Sequence, residues 1–221
     1  MNDEKSLKIT KSIFWTPTLY LLAIWFIYWL EIYFGLNFNK YGIYPRTFEG
    51  FRGVFLAPFI HGDTSHLFNN SIPLFVLLVS LFYFYRELAY KVLIIGGFMT
   101  GFFTWAIARD SYHIGASGIV YLLFSFIFFS GLIRKHYRLV AQSLVVIFLY
   151  GGMIWYVLPI KEGMSWEGHL SGFIVGLCLS LFYRKTGIVK KEYQFSKTEF
   201  DLLFDENGNF LSENHEDNCS V

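Results

Sequence analysis

The sequence predicts an all-α polytopic membrane protein, a bundle of six transmembrane helices, and three observations carry that reading. Of 221 residues, 54% are hydrophobic and only 16% charged, against about 25% charged in soluble domains. The apolar residues fall into six long runs, each near the roughly 20 residues needed to cross about 30 Å of hydrocarbon. None of the runs shows the polar stripe of a soluble amphipathic helix. Because lipid offers no partner to backbone N–H and C=O groups, runs of this kind must be helices.

In order, the expected spans are Ile13–Phe34, Leu67–Tyr85, Leu88–Ala108, Ile114–Ile133, Leu139–Leu158 and Trp166–Tyr183. The first follows Lys5, Lys8 and Lys11 in the manner of a signal peptide. It is too long for that role and no small-x-small cleavage site follows, so a retained helix is expected. The organisation predicted is an N-terminal segment 1–12, a six-helix core 13–186 with a long outer loop 35–61, and an acidic tail 187–221. Asp205-Glu206-Asn207-Gly208-Asn209 in the tail suggests a turn between Phe204 and Phe210 through its Asn-Gly pair. A calcium loop is rejected there, since Phe210 stands where such a loop needs Gly.

Charge gives the orientation. With the N-terminus inside, Lys5, Lys8, Lys11, Arg86, Lys91, Arg134, Lys135, Arg138, Arg184, Lys185, Lys190, Lys191 and Lys197 are cytoplasmic, thirteen of the eighteen basic residues. Lys40, Arg46, Arg52, Arg109 and Lys161 are outer. The positive-inside rule then places both termini in the cytoplasm. A net charge of +1 excludes a nucleic-acid binder, and two Cys cannot make a disulfide scaffold.

Ionisable groups inside a membrane are costly and are functional candidates by default. Here they gather at one depth. His61, His66, Asn69 and Asn70 mark the outer start of the second span, His113 and Ser117 that of the fourth, and Glu167 and His169 that of the sixth. Gly115-Ala116-Ser117-Gly118 is either a close-packed helix start or a nucleophile on a helix N-terminus, where N–H groups favour an oxyanion. In the sixth span Gly168, Gly172 and Gly176, four apart, allow a neighbouring helix to come close, and His169 borders that face. Packed on the start of the fourth helix, His169 meets Ser117 and is the side chain suited to take its proton. Tyr121, one turn after Ser117, either packs on the imidazole or is plain apolar packing. His66 and Asn70, four apart, project to one side of their helix, and each is able to donate to an oxyanion. No Glu follows His61 in the His-Glu-x-x-His zinc pattern, so neither metal nor cofactor is expected.

These motifs, in these helices and in this order, resemble those of the rhomboid family of intramembrane serine proteases. The resemblance covers roughly residues 13–186 and implies a Ser–His dyad with Ser117 as nucleophile and His169 as general base. It further implies oxyanion-hole roles for Asn70, His66 and Gly115, a ring stacked on the histidine at Tyr121, a structural role for His61, and helix packing at Gly172 and Gly176. Substrates would be single-pass transmembrane proteins, cut near the outer face of a prokaryotic plasma membrane. Access would need movement of the fifth helix and of the loop Pro159–Ser165. The family's first-loop Trp-Arg pair is replaced by Phe51-Arg52 with shifted spacing, so Arg52 receives no role. The alternative is a catalytically silent rhomboid-like protein that binds membrane helices without cutting them. A transporter would need internal repeats and broken helices at the midplane, and neither is visible. Oligomeric state is not readable from these residues.

Overall fold

The computed structural model describes residues 9–161, 163–190 and 198–210. Lys5, Lys8, Lys191, Lys197 and the tail acids Glu192, Glu213, Glu216 and Asp217 lie outside the described residues. The chain divides into two compact units, Met1–Lys190 and Lys191–Val221.

The described residues of the first unit form a helical bundle, with α1 at Ser12–Tyr33, α2 at Thr64–Phe84, α3 at Ala89–Ile107, α4 at Ser117–Arg134, α5 at Tyr137–Val157 and α6 at Trp166–Phe182. Five are long and apolar enough to cross a membrane, whereas α6 is a shorter apolar helix of 17 residues. At 1.5 Å per residue α6 reaches about 25 Å, short of the roughly 30 Å of a full span. The expected boundaries are met within three residues. They differ most at helix starts: α2 begins three residues early, where Asp63 caps it by accepting from the His66 N–H at 2.7 Å, and α4 begins three residues late, at Ser117.

The centre of the bundle is α4, with twelve of its eighteen residues buried; α1 buries only Ile13, Pro17 and Ile24. Lipid tails are as apolar as Leu, so hydrophobicity alone does not hold helices together in a membrane; close packing of small residues and interhelical hydrogen bonds do. Both are present between α4 and α6. A Cβ on Gly172 would collide with the Gly118 carbonyl, and one on Gly176 with the Leu122 carbonyl. Ser125 Oγ then donates to the Phe173 carbonyl at 2.6 Å. On the other flank, Ser143 of α5 donates to the Phe128 carbonyl of α4 at 2.9 Å, and the Trp25 indole of α1 donates to Ser71 Oγ of α2 at 3.0 Å. Such bonds contribute about 0.6–1.7 kcal/mol each in a membrane.

The outer loop is folded into short helical turns at Asn39–Tyr41, Phe48–Phe51, Gly53–Leu56 and Ala57–Phe59. It is pinned to the chain before α4 by the Ile43–His113 bridge, with N–H···O distances of 2.9 and 2.8 Å. In the second unit, Phe204 and Phe210 pair across a turn in which Gly208 has φ +82°, as the Asn-Gly pair suggests.

Candidate active site

Ser117 is the first residue of α4, so its own N–H and that of Gly118 belong to the helix's opening amides, which no preceding turn satisfies. The chain arrives there through Gly115, whose φ of +102° L side chains rarely adopt. The Gly115 N–H is held by the Ala57 carbonyl at 2.9 Å, which anchors the turn to the outer loop.

His169 lies in the first turn of α6 and is buried. Its Nε2 is 2.9 Å from Ser117 Oγ, and its Nδ1 is 2.8 Å from the Tyr156 carbonyl. A carbonyl only accepts, so Nδ1 carries the proton; Nε2 then offers a lone pair, and the Ser117 hydroxyl donates to it. The carbonyl at Tyr156 is free for this purpose because α5 tightens into a 3₁₀ segment at Gly151–Val157 and ends there. A main-chain dipole thus fixes the tautomer, a task that Ser-His-Asp sites give to a carboxylate. The Tyr121 ring stacks on the imidazole, centroids 4.2 Å apart and planes at 14°. Its hydroxyl donates to the Met153 carbonyl at 2.8 Å, so the ring is held from both sides.

His66 and Asn70 lie on the face of α2 that meets Gly115. A Cβ at Gly115 would be 2.6 Å from His66 Nε2 and 3.4 Å from Asn70 Nδ2. Asn70 is buried, and among the described residues its Nδ2 has no hydrogen-bond partner. A buried donor without an acceptor is a cost that native structures rarely bear without a reason. The unmet donor and His66 thus lie beside Gly115, two residues before Ser117. A cavity of about 40 Å³ reaches Ser117 from the α3 side, between Thr100, His113, Ser165 and Gly168, room for about one water molecule.

His61 is buried beside His66, ring centroids 5.0 Å apart. Burial first, and then the neighbouring His66, lowers its pKa to about 4. Among the described residues no third metal-ligating side chain joins the two histidines. Gly172 and Gly176 are the close-packing positions already described. Arg52 donates to the Lys40 carbonyl at 3.2 Å and lies over the Tyr41 ring, so it braces the outer loop internally. It is Arg46, with its unusual φ of +57°, that ties this loop to the end of α3, through the Ala108 carbonyl at 2.7 Å and an ion pair with Asp110.

Three features escape sequence reasoning. The Tyr156 and Met153 carbonyls have no side-chain signature at all. The pairing of Arg109 with Glu167 had one, two opposite charges at the same outer depth. Arg109 Nη1 lies 3.1 and 3.0 Å from the two Glu167 oxygens, and Nη2 donates to the Met164 carbonyl at 2.7 Å. Beside them His113 Nδ1 is 2.5 Å from Ser165 Oγ, while Nε2 is 3.0 Å from the Arg109 carbonyl. The segment leading to Ser117 is thereby fastened to the loop leading to His169.

The family model of the Rhomboid domain matches residues 49–186, which contain Ser117, His169 and the side chains packed around them but not Arg46. Uncharacterized proteins of Mycobacterium tuberculosis and Mycobacterium bovis are each 36% identical over 155 residues, covering 65% of this chain and 63% of theirs. One from Mycobacterium leprae is 34% identical over 157 residues, covering 63% and 60%. The chain therefore spans less than two thirds of the length of these curated relatives.

Proposed function

The chain belongs to the rhomboid family, and on that premise we propose that it is an intramembrane serine endopeptidase acting through Ser117 and His169. The observation that carries the reading is the Ser117 Oγ to His169 Nε2 hydrogen bond of 2.9 Å with the imidazole tautomer set by the Tyr156 carbonyl. Serine is a weak nucleophile until a base accepts its proton. His169 Nε2 takes that proton as Oγ attacks the scissile carbonyl carbon. The carbonyl oxygen becomes an oxyanion beside Gly115, within reach of Asn70 Nδ2, His66 and the opening amides of α4. On collapse of the tetrahedral intermediate the C–N bond breaks, and His169 returns the proton to the leaving amine. Water, activated by the same Nε2, then hydrolyses the acyl ester. Tyr121 keeps the ring plane constant through both half-reactions.

The substrates are single-pass membrane proteins whose helices unwind locally, because helical carbonyls are shielded by their own hydrogen bonds. Residues of low helix propensity near the scissile bond favour that exposure. Access runs past α5 and the loop between α5 and α6. The protein is an integral membrane protein, and the excess of Lys and Arg at one side supports a bacterial plasma-membrane location with cytoplasmic termini and the dyad toward the outer face.

Ser117→Ala and His169→Ala are each expected to abolish cleavage of a transmembrane substrate in proteoliposomes, and Ser117→Ala to abolish labelling by a fluorophosphonate. Both variants should unfold at the wild-type temperature. Cleavage retained by either variant refutes the dyad. A folded wild-type protein that neither cleaves nor labels supports instead a silent membrane-helix binder.

A further inference from the structure

The end of the bundle remote from the dyad holds a larger cavity, about 300 Å³, lined by Phe84, Tyr85, Arg86, Glu87, Leu88, Arg134 and the stretch Thr186–Ile188. Arg134, the last residue of α4, is only 4% exposed. Its guanidinium reaches main-chain carbonyls alone: Tyr183 at 2.7 Å, Ile188 at 3.3 Å, and Thr186. Its Nε is buried without a partner among the described residues, and the Tyr85 ring lies beneath it, 5.4 Å from centroid to guanidinium carbon. Among the described residues the only ion pairs are Arg46–Asp110 and Arg109–Glu167, so no carboxylate neutralises Arg134 within 4 Å. Glu87 lines the same cavity from its exposed rim, next to Arg86, and its carboxylate attracts Arg134 from there.

A buried cation whose one facing carboxylate among the described residues, Glu87, stands off at more than contact distance is expensive, and this one stands where three spans, α2, α4 and α6, reach the membrane–water boundary. The walls divide in the same sense: Phe84, Tyr85 and Leu88 are apolar, whereas Arg86 and Arg134 are cationic. A ligand that fits carries a phosphate next to hydrocarbon. Basic pockets between transmembrane helices at an interface are known to hold anionic lipid headgroups. We propose that this cavity binds the phosphate of an anionic phospholipid from the adjacent leaflet, with Arg134 and Arg86 as its cationic wall and the apolar side chains receiving the glycerol and first acyl carbons. The site is independent of the dyad and does not rest on its chemistry.

The test is native mass spectrometry of the full chain in detergent, titrated separately with short-chain phosphatidylglycerol, short-chain phosphatidylcholine and inorganic phosphate. Phosphatidylglycerol should form a one-to-one adduct at least tenfold tighter than either of the others. Arg134→Gln also loses the carbonyl contacts that close α6, so the exposed rim carries the discrimination. Arg86→Gln should weaken the adduct about fivefold and Glu87→Gln should tighten it by a similar factor, as expected for one charge several ångströms away at an interfacial dielectric. Inorganic phosphate or phosphatidylcholine binding as tightly as phosphatidylglycerol overturns the proposal. So does an adduct that ignores both rim substitutions. Cleavage activity lost or kept in these variants has no bearing on the outcome.

Discussion

Gly115→Ala separates the proposed oxyanion site from the rest of the fold. The residue stands at φ +102°, where an L side chain costs about 1–2 kcal/mol. Its new methyl would lie 2.6 Å from the His66 ring, so His66 must swing away, and 3.4 Å from Asn70 Nδ2, which it touches without displacing. Removing one oxyanion donor typically costs about 10²–10³ in rate, or about 2.7–4 kcal/mol of transition-state stabilisation. We therefore expect kcat to fall by at least about 100-fold with KM little changed, since the substrate's ground-state carbonyl does not yet need the donors. Thermal unfolding should move down by only the backbone strain. Gly152→Ala is the control: nothing lies within 4 Å of its added methyl, and kcat should remain within about twofold. The assay is initial-rate cleavage of a quenched fluorogenic transmembrane substrate in proteoliposomes, paired with unfolding curves of the same preparations. A folded Gly115→Ala protein that cleaves within threefold of wild type would refute the assignment of His66, Asn70 and Gly115 to the oxyanion.

Three further outcomes follow from the same geometry. Tyr121→Phe keeps the ring stacked 4.2 Å from His169 and loses only the bond to the Met153 carbonyl; it should cost about threefold in kcat and Tyr121→Ala about tenfold more, measured by the same initial rates. Breaking the Arg109–Glu167 pair should be asymmetric, because the side chains are 43% and 4% exposed: Arg109→Ala strands a buried carboxylate and lowers the unfolding temperature more than Glu167→Gln, after which the half-exposed guanidinium rehydrates; equal shifts would contradict this. His61 titrates near 4 when folded and near 6.5 when unfolded, through burial and then His66. The unfolded state thus binds more protons between those values, so the stabilisation is complete above about pH 6.5 and is lost as pH falls toward 4, about 3 kcal/mol for this one group. His113, also lowered by burial, acts in the same direction. A non-titrating His61→Gln chain should show a flatter unfolding-temperature profile over that window, and an unchanged slope would rule out this origin.

Much of the site was legible from residues alone because membranes make polar groups informative. A serine between glycines, a histidine beside a four-spaced glycine face and a His–Asn pair at helical spacing each carry a side-chain signature, and their common depth brought them together before any coordinates. Other parts had no such signature. The His169 imidazole is oriented by the Tyr156 carbonyl, and every residue has a carbonyl; only the 3₁₀ ending of α5 frees this one and aims it. Arg46 rather than Arg52 ties the outer loop to α3 because the loop's turns, unmarked in the hydropathy, decide which arginine reaches Ala108 and Asp110.

Composition and period alone determined an all-helical membrane bundle, its approximate spans and the helices that bear its polar residues, since hydrocarbon leaves the backbone no other way to satisfy its hydrogen bonds. Tertiary structure alone decided that Ser117 and His169 stand 2.9 Å apart, which nitrogen carries the proton, and that Glu167 is held by Arg109. Those outcomes depend on how closely α4 and α6 approach through Gly118, Gly172 and Gly176, and a separation between helices is a property of packed surfaces that no single stretch of chain contains.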